Sequence, residues 1–170
     1  MEDLHKKWPH RWFNSKAEAR KSKIHGIGVF AKKNIRLGEA VGVLGGVIVP
    51  KSDIKKYWKM MGHVGIQIDE IFFIVPTTRE ELERGGVFNH SCQPNLGFSN
   101  SITLIAIKNI NAGDELVFDY ALNETTHSFK CNCGSAQCRG KIRPNDWQDP
   151  KLIKKYGRFY SPYLKKLIKL

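Results

Sequence analysis

Eight consecutive residues in the middle of the chain, Phe88 to Asn95, constrain its fold more than any other stretch. Their sequence, FNHSCQPN, places an amide, an imidazole, a thiol and a proline shortly after the glycine pair at 85–86. Glycine adopts backbone angles that other residues avoid, Asn and Ser side chains bond nearby backbone groups, and proline holds the preceding residue extended. The stretch therefore predicts a tight, hydrogen-bonded turn that carries polar groups suited to chemistry.

Short apolar segments with turn residues between them lie on both sides of this turn. Branched and small residues alternate in them, which favours strands, and their close spacing favours antiparallel pairs. The expected strand regions are 23–31, 40–49 in two pieces around the glycine pair at 45–46, the hairpin 65–75, the pair 96–107 and the segment 116–120. The chain is thus predicted to be mainly β.

Helical patterns are weaker and lie mostly outside this core. A helix is expected to begin at Ser52 or Asp53, with an apolar face formed by Ile54, Tyr57, Trp58 and Met61. A short helix through residues 17–20 is a second candidate. After Asp149 the apolar residues keep helical spacing among lysines, which predicts one or two short amphipathic helices. We favour packing of these helices on the body of the protein over a position on a membrane surface.

The composition of the 170 residues, 41% hydrophobic and 26% charged, predicts one globular domain. Lys and Arg outnumber Asp and Glu by 28 to 16, so the net charge is +12. This excess predicts either association with a polyanion such as nucleic acid or simple solubility, because the lysines are spread along the chain. No apolar run approaches the roughly 18 residues of a membrane span, and the first residues lack the apolar core of a signal peptide. We expect a soluble intracellular protein of the nucleus, nucleoid or cytoplasm that does not bind membranes.

The cysteines form the sharpest local pattern. There are four of them, at Cys92, Cys131, Cys133 and Cys138. Two cysteines one residue apart pair poorly in a disulfide, and nothing in the chain indicates an oxidising compartment. Four thiolates suit tetrahedral Zn²⁺. We therefore predict a structural zinc site with all four as ligands, the alternative being free buried thiols.

Four motifs together resemble the SET-domain protein-lysine methyltransferases that carry a post-SET zinc segment. In chain order they are GIGVFA at 26–31, NHSCQPN at 89–95, GDELVFDY at 113–120 and CNCGSAQC at 131–138. The resemblance implies small curved antiparallel sheets around a pseudoknot, in which the segment that ends at Tyr120 passes the chain near Asn89. It also implies a division into an N-terminal arm (1–21), a SET domain (22–122), a post-SET zinc segment (123–142) and a C-terminal helical extension (143–170).

The resemblance implies an enzyme that transfers a methyl group from S-adenosylmethionine to the ε-amine of a lysine. The expected partner is a basic, histone-like or other chromosomal protein, bound by a monomeric enzyme, with nucleic-acid association left open. In this in-line displacement the amine must be neutral, although a free lysine has a pKa of about 10.4. An apolar channel and the neighbouring sulfonium charge would lower that pKa, so positioning is most of the catalysis.

Two side chains of the FDY motif match the family's catalytic positions. Tyr120 would hold the amine and the methyl group in line through its hydroxyl. Phe118 matches a position at which Phe or Tyr affects how many methyl groups fit. Because phenylalanine lacks the hydroxyl that could retain a water, we expect di- or trimethylation. Each residue taken alone is also compatible with a place in a strand.

Cofactor-binding roles follow from the same resemblance. Asn89 and His90 match positions that contact S-adenosylmethionine, and the backbone around His25, Ile27 and Gly28 resembles the first cofactor loop. Phe129, just before the first post-SET cysteine, is expected to cover the adenine.

The chain departs from the family pattern in several places. Gly86 stands where the family often has an arginine, and Val43 and Gly46 stand near the usual tyrosine and glutamate of a YxGE-like stretch. No cysteine precedes Gly26, so there is no cysteine-rich pre-SET segment. The alternative function is a catalytically idle SET module that binds nucleic acid or a protein partner.

Overall fold

The computed structural model describes residues 7–123, 125–126 and 128–170. Residues 1–6 of the predicted N-terminal arm and two positions of the predicted zinc segment, 124 and 127, lie outside the described residues. The strands are β1 (Trp12–Phe13), β2 (Ala17–Lys21), β3 (Ile27–Ala31), β4 (Ala40–Val43), β5 (Val47–Pro50), β6 (Ile66–Gln67), β7 (Phe72–Val75), β8 (Leu96–Phe98), β9 (Thr103–Ala106), β10 (Phe129–Lys130) and β11 (Lys141–Ile142). The α-helices are α1 (Ile54–Met61), α2 (Arg79–Gly85), α3 (Pro150–Tyr156) and α4 (Pro162–Ile168).

Four small antiparallel sheets make up the described β structure, with strand orders β1-β4-β9-β8, β5-β7-β6, β2-β3 and β10-β11. The first sheet supplies much of the main core, where Val41, Leu96, Leu104 and Ala106 are fully buried. The β5-β7-β6 sheet packs instead against α1, which buries Ile54 and Tyr57. The mainly β prediction and its pairs of short strands are confirmed.

Two distant segments cross beneath the core. Ser91 donates its amide to the carbonyl of Phe118 at 3.1 Å, and Phe118 donates back to Asn89 at 3.2 Å. The Asn95 side chain stabilises the same crossing: its Nδ2 donates to the Glu115 carbonyl, and its Oδ1 accepts from the Val117 amide. This is the passage of the FDY segment past Asn89 that the family resemblance implies.

The C-terminal helices close the other side of the core. Tyr160 and Leu164 are fully buried, and the Ser161 amide donates to the carbonyl of Leu122, two residues after Tyr120. Their apolar faces therefore pack on the body, as predicted. No helix within the described residues is long and apolar enough to cross a membrane.

Two local predictions need correction, and one helix was not predicted. Residues 17–20 lie in strand β2, not in a helix, because all five residues of β2 pair with β3. The segment 116–120 forms isolated bridges, and at Tyr120 it turns into a short 3₁₀ helix. Helix α2 was not expected, although Thr78 and Glu81 give it a capping signal: the Thr78 hydroxyl accepts the Glu81 amide.

Candidate active site and metal centre

Tyr120 lies at the point where the crossing segments separate. Asp119 caps the 3₁₀ turn by accepting the Ala121 amide, and this directs the chain sharply away from the crossing. The Tyr120 amide donates to His90 Nδ1 at 3.2 Å, and its hydroxyl donates to the carbonyl of Phe88 at 3.2 Å. Both ends of the tyrosine are thereby held by the NHSC turn and the residue before it.

Two cavities meet at this tyrosine. The larger is a cleft of about 580 Å³, whose lining includes His25, Asn89, His90 and Phe129. The smaller is a narrow, mostly apolar cavity of about 60 Å³ bordered by side chains such as Phe88, Phe118 and Ile66. Tyr120 and the exposed His63 line both. A group bound in the cleft and a side chain inserted in the narrow cavity would therefore face each other across Tyr120.

The Asn89 side chain has a fixed orientation. Its amide nitrogen donates to the His25 carbonyl at 3.0 Å and to the Glu115 carboxylate at 2.7 Å. Glu115 is held in turn by the Ser22 hydroxyl at 2.8 Å. Both donors of the amide are thus used, which leaves the carbonyl oxygen of Asn89 as the group available to a ligand.

His90 is almost completely buried between the cleft and the thiols. Burial lowers the pKa of His90 to about 4, and the nearby Asp119 carboxylate raises it only partly back, so the ring is neutral near pH 7. Because Nδ1 accepts the Tyr120 amide, the neutral ring carries its proton on Nε2. That proton is donated to the Cys92 sulfur, 3.3 Å away.

The structure brings most of the predicted cofactor residues together, but not all. His25, Asn89, His90 and Phe129 line the large cleft. Ile27 and Gly28 do not line it: Ile27 is exposed, and Gly28 packs against the Glu115 carboxylate, whose oxygen leaves no room for a side chain. The rings of His90, Tyr120 and Phe129 lie 5.3 to 5.9 Å apart in pairs.

Phe118 lies on the other side of Tyr120, in the wall of the narrow cavity. Its ring centroid is 4.9 Å from that of Tyr120, and it packs edge-to-face on Phe98 at 5.5 Å. Phe118 is therefore part of the hydrophobic core and also part of the cavity wall. A packing role and a role in the site are compatible.

Three cysteines and one histidine have ligand atoms within 4.8 Å of one another: His90, Cys92, Cys131 and Cys133. Cys138 is outside this group and exposed, although its sulfur lies 3.7 Å from the carbonyl of Cys131. Backbone amides already point at these sulfurs, since Arg139 donates to Cys92 and Gly140 donates to Cys138. Such N–H donors stabilise thiolates, which supports a metal at this position.

The thiols of this group differ in how readily they ionise. Burial raises the pKa of Cys92 to about 11 and raises that of Cys131 as well. Burial acts in the same direction on Cys133, but hydrogen bonds from the Cys92 backbone and from Ser135 lower its pKa to about 6. A cation between these sulfurs would let all of them ionise.

An ion pair connects the cysteine segment with the turn at Tyr120. The Arg139 guanidinium binds both oxygens of Asp119, and its Nε lies 3.2 Å from Asp146. Burial opposes the charge of Arg139, yet Asp119 raises its pKa above the ordinary value. These contacts cannot be read from the sequence, because Asp119 and Arg139 lie 20 residues apart, and Glu115 and its partner Ser22 lie 93 residues apart.

The structure shows why Gly86 could not be replaced by the arginine that the family resemblance leads us to expect at this position. Gly86 ends α2 with φ +69°, and a Cβ there would lie 2.9 Å from the Val29 side chain. The position has neither the backbone conformation nor the space for a long side chain.

A family model described as "SET domain" matches residues 26–121, which is more than half of the chain. The chain belongs to the SET-domain family. It is 31% identical over 134 residues to human "Histone-lysine N-methyltransferase 2B" and 30% identical over 134 residues to the fission yeast (Schizosaccharomyces pombe) "Histone-lysine N-methyltransferase, H3 lysine-4 specific". These matches cover 70% and 71% of this chain but only 5% and 14% of the two relatives.

Solved structures of SET proteins have the same fold. The methyltransferase domain of human histone-lysine N-methyltransferase SETMAR matches with a TM-score of 0.56 at 19% identity, covering 75% of this chain and 58% of that one. KRYPTONITE in complex with mCHG DNA and SAH matches with a TM-score of 0.56 at 26% identity, covering 76% of this chain and 29% of that one. The predicted fold and family are confirmed.

Proposed function

We propose that this chain is an S-adenosylmethionine-dependent protein-lysine N-methyltransferase. The observation that carries the proposal is the meeting of the large cleft and the narrow cavity at Tyr120. The names of the relatives support lysine as the acceptor, and the SAH in the KRYPTONITE complex supports S-adenosylmethionine as the methyl donor. The cleft of about 580 Å³ is within the usual range for small-molecule sites.

The residues that would hold the methyl donor are those of the cleft. Asn89 offers its carbonyl oxygen to a polar group, and the backbone near His25 forms one wall. Phe129 offers a ring face to the adenine, beside the neutral His90. When bound, S-adenosylmethionine supplies a methyl group made electrophilic by its sulfonium.

The narrow cavity prepares the lysine. Its apolar wall disfavours an ammonium, so the amine that reaches Tyr120 is favoured in its neutral, nucleophilic form. The Tyr120 hydroxyl, anchored on the Phe88 carbonyl, limits the directions from which the amine can approach. Phe118 leaves space beside the amine, and we propose that di- or trimethylated products form.

We propose that Zn²⁺ is bound by Cys92, Cys131, Cys133 and Cys138. His90 is near these sulfurs, but its Nε2 carries a proton that it donates to Cys92, which makes it a poor fourth ligand. Bound zinc would supply folding free energy and fix the cysteine segment. The SET domain would then comprise residues 22–122, between the arm and the zinc segment (123–142) that precedes the helical extension (143–170).

The proposed substrate is a lysine of a histone-like or other chromosomal protein, and the proposed place of action is chromatin. The net charge of +12 supports a meeting with such substrates on nucleic acid, where both are held. The second candidate is an idle SET module, for which the same basic charge is the supporting observation.

The test is methyl transfer from labelled S-adenosylmethionine to a panel of histones, other proteins and DNA, with hydrolysis of the product to identify the methylated residue. We expect label on protein lysine. Absence of label from every acceptor, together with absence of S-adenosylmethionine binding by calorimetry, would favour the idle module. If added DNA at low and moderate salt left the rate on basic substrates unchanged, the meeting on nucleic acid would be abandoned.

A further inference from the structure

Arg11 contributes a half-buried cation to the wall of the narrow cavity. Its Nη1 atom is buried and has no hydrogen-bond partner among the described residues. Leaving a buried donor unsatisfied is unfavourable, and more so when the donor belongs to a charged group. The structure therefore holds an unsatisfied, charged donor beside the proposed path of the lysine.

The position of Arg11 is built into the fold. Next to it, β1 pairs with β4, with Trp12 opposite Val43. On its other side, the His10 carbonyl lies so close to Gly45 that any Cβ at Gly45 would collide with it. The guanidinium lies 5.2 Å from the ring centroid of Phe13, which packs at 5.6 Å on Phe88 in the cavity wall.

Among the described residues, Glu81 is the carboxylate that stabilises the charge of Arg11, and both of its oxygens already have other partners. Glu81 accepts the Thr77 amide at 2.6 Å on one oxygen, and its other oxygen lies 3.1 Å from His10. Burial lowers the pKa of Arg11 to about 10, against the opposing effect of Glu81, so the guanidinium remains charged near pH 7. Within the described residues no carboxylate forms a hydrogen bond with Nη1.

A carboxylate is the partner that matches this donor. The guanidinium fork forms charge-assisted hydrogen bonds with carboxylates that are about twice as strong as neutral ones. Arg11 is the only permanently charged side chain among the described residues that line the cavity.

We propose that Arg11 is a specificity residue that binds an acidic side chain of the substrate, placed two residues from the target lysine. In an extended peptide, side chains two residues apart lie on the same face, so one can reach Arg11 while the other enters the cavity. The inference rests on the proposed lysine methyltransferase function and narrows its substrate to lysines with such an acidic neighbour. The Arg11 charge also disfavours an ammonium in the cavity, which again favours the neutral amine.

The experiment compares methylation of peptides that are identical except for Glu or Gln two residues before or after a single lysine. The full chain is used as wild type, as Arg11→Gln, as Arg11→Lys and as the control Arg158→Gln. Arg158 is exposed, packs on Phe159 and lies away from both cavities, so its substitution removes the same charge elsewhere. Thermal unfolding and SAH binding establish that each variant is folded.

We expect the wild type and Arg158→Gln to favour a Glu peptide over its Gln counterpart by about tenfold or more in kcat/KM, as one charge-assisted hydrogen bond provides. Arg11→Gln should abolish this preference and Arg11→Lys should reduce it. The inference is overturned if the wild type shows no preference, or if Arg11→Gln slows all peptides equally. If no peptide and no protein is labelled, the proposed function itself fails, and the inference fails with it.

Discussion

The Arg139 guanidinium binds both oxygens of the fully buried Asp119 carboxylate. Asp119 precedes Tyr120, while Arg139 follows the last cysteine and donates its backbone amide to Cys92. One ion pair thus connects the segment that would bind zinc with the turn that positions the Tyr120 hydroxyl. If the cysteine segment becomes disordered, the Tyr120 side chain is therefore expected to move as well.

Replacing Arg139 by Gln should leave the Asp119 carboxylate buried without its charged partner. We expect the free energy of unfolding to fall by about 3 kcal/mol, measured by urea denaturation. Asp119→Asn should also destabilise the protein, and the double variant should lose less than the sum of the two single losses. Additive losses would show that the two side chains do not interact in solution.

Zinc binding should depend on Cys138 and not on His90. Because Nδ1 accepts the Tyr120 amide, the proton of the neutral His90 ring is on Nε2, where it is donated to Cys92. The protonated Nε2 has no free lone pair with which to bind a metal. Metal analysis of purified chains should find about one zinc per wild-type or His90→Ala chain and little in Cys138→Ser. Loss of zinc from His90→Ala with retention in Cys138→Ser would instead support the histidine and three cysteines whose ligand atoms are close together.

The product should change with the side chain at position 118. Phe118→Tyr adds a hydroxyl to the wall of the narrow cavity, next to Tyr120, where it could retain a water in the space of an added methyl group. Mass spectrometry should find di- or trimethyl-lysine with the wild type and mainly monomethyl-lysine with the variant. A wild-type enzyme that stops at monomethyl-lysine would contradict the proposed role of Phe118.

Acid should destabilise the protein in part by protonating Glu81, which contacts His10 of the N-terminal segment. Burial alone would raise the pKa of Glu81, but hydrogen bonds from Thr77 and the charge of His10 lower it overall. A lowered folded pKa means that the contribution of Glu81 to stability is present above its unfolded pKa, about 4.3, and is lost as the pH falls through the folded pKa. Glu81→Gln should therefore destabilise the protein at pH 7 and flatten the decline of its melting temperature below about pH 4. If the melting temperature of the variant fell as steeply in acid as that of the wild type, the loss of stability would come from groups other than Glu81.

Much of the fold follows from local patterns. The glycine pair at 45–46 separates β4 from β5, and the apolar spacing of α1 was sufficient to place that helix. The helix predicted at 17–20 failed because helix-forming residues there satisfy their backbone groups by pairing with β3, which propensity does not describe. Helix α2 had a readable signal in Thr78 and Glu81, whose capping bond forms in the structure.

The site was predictable to the extent that its residues stand in motifs. Tyr120, Asn89, His90 and Phe129, which stand in or beside the motifs, line one cleft. The residues that orient them were not predictable, because a bond such as that from Ser22 to Glu115 joins positions 93 residues apart. Arg11 is a similar case, since only the folded arm brings it to the cavity wall.

The most direct test of the account compares the rate of methyl transfer of the wild type with that of Tyr120→Phe, with SAH binding measured on both. The variant keeps the ring and loses only the hydroxyl that is anchored on the Phe88 carbonyl. We predict a loss of about a hundredfold or more in kcat with SAH affinity unchanged, as expected when a positioning contact is removed. Equal rates for the two chains would contradict the assignment of Tyr120, and with it the central claim that the two cavities meet at a catalytic tyrosine.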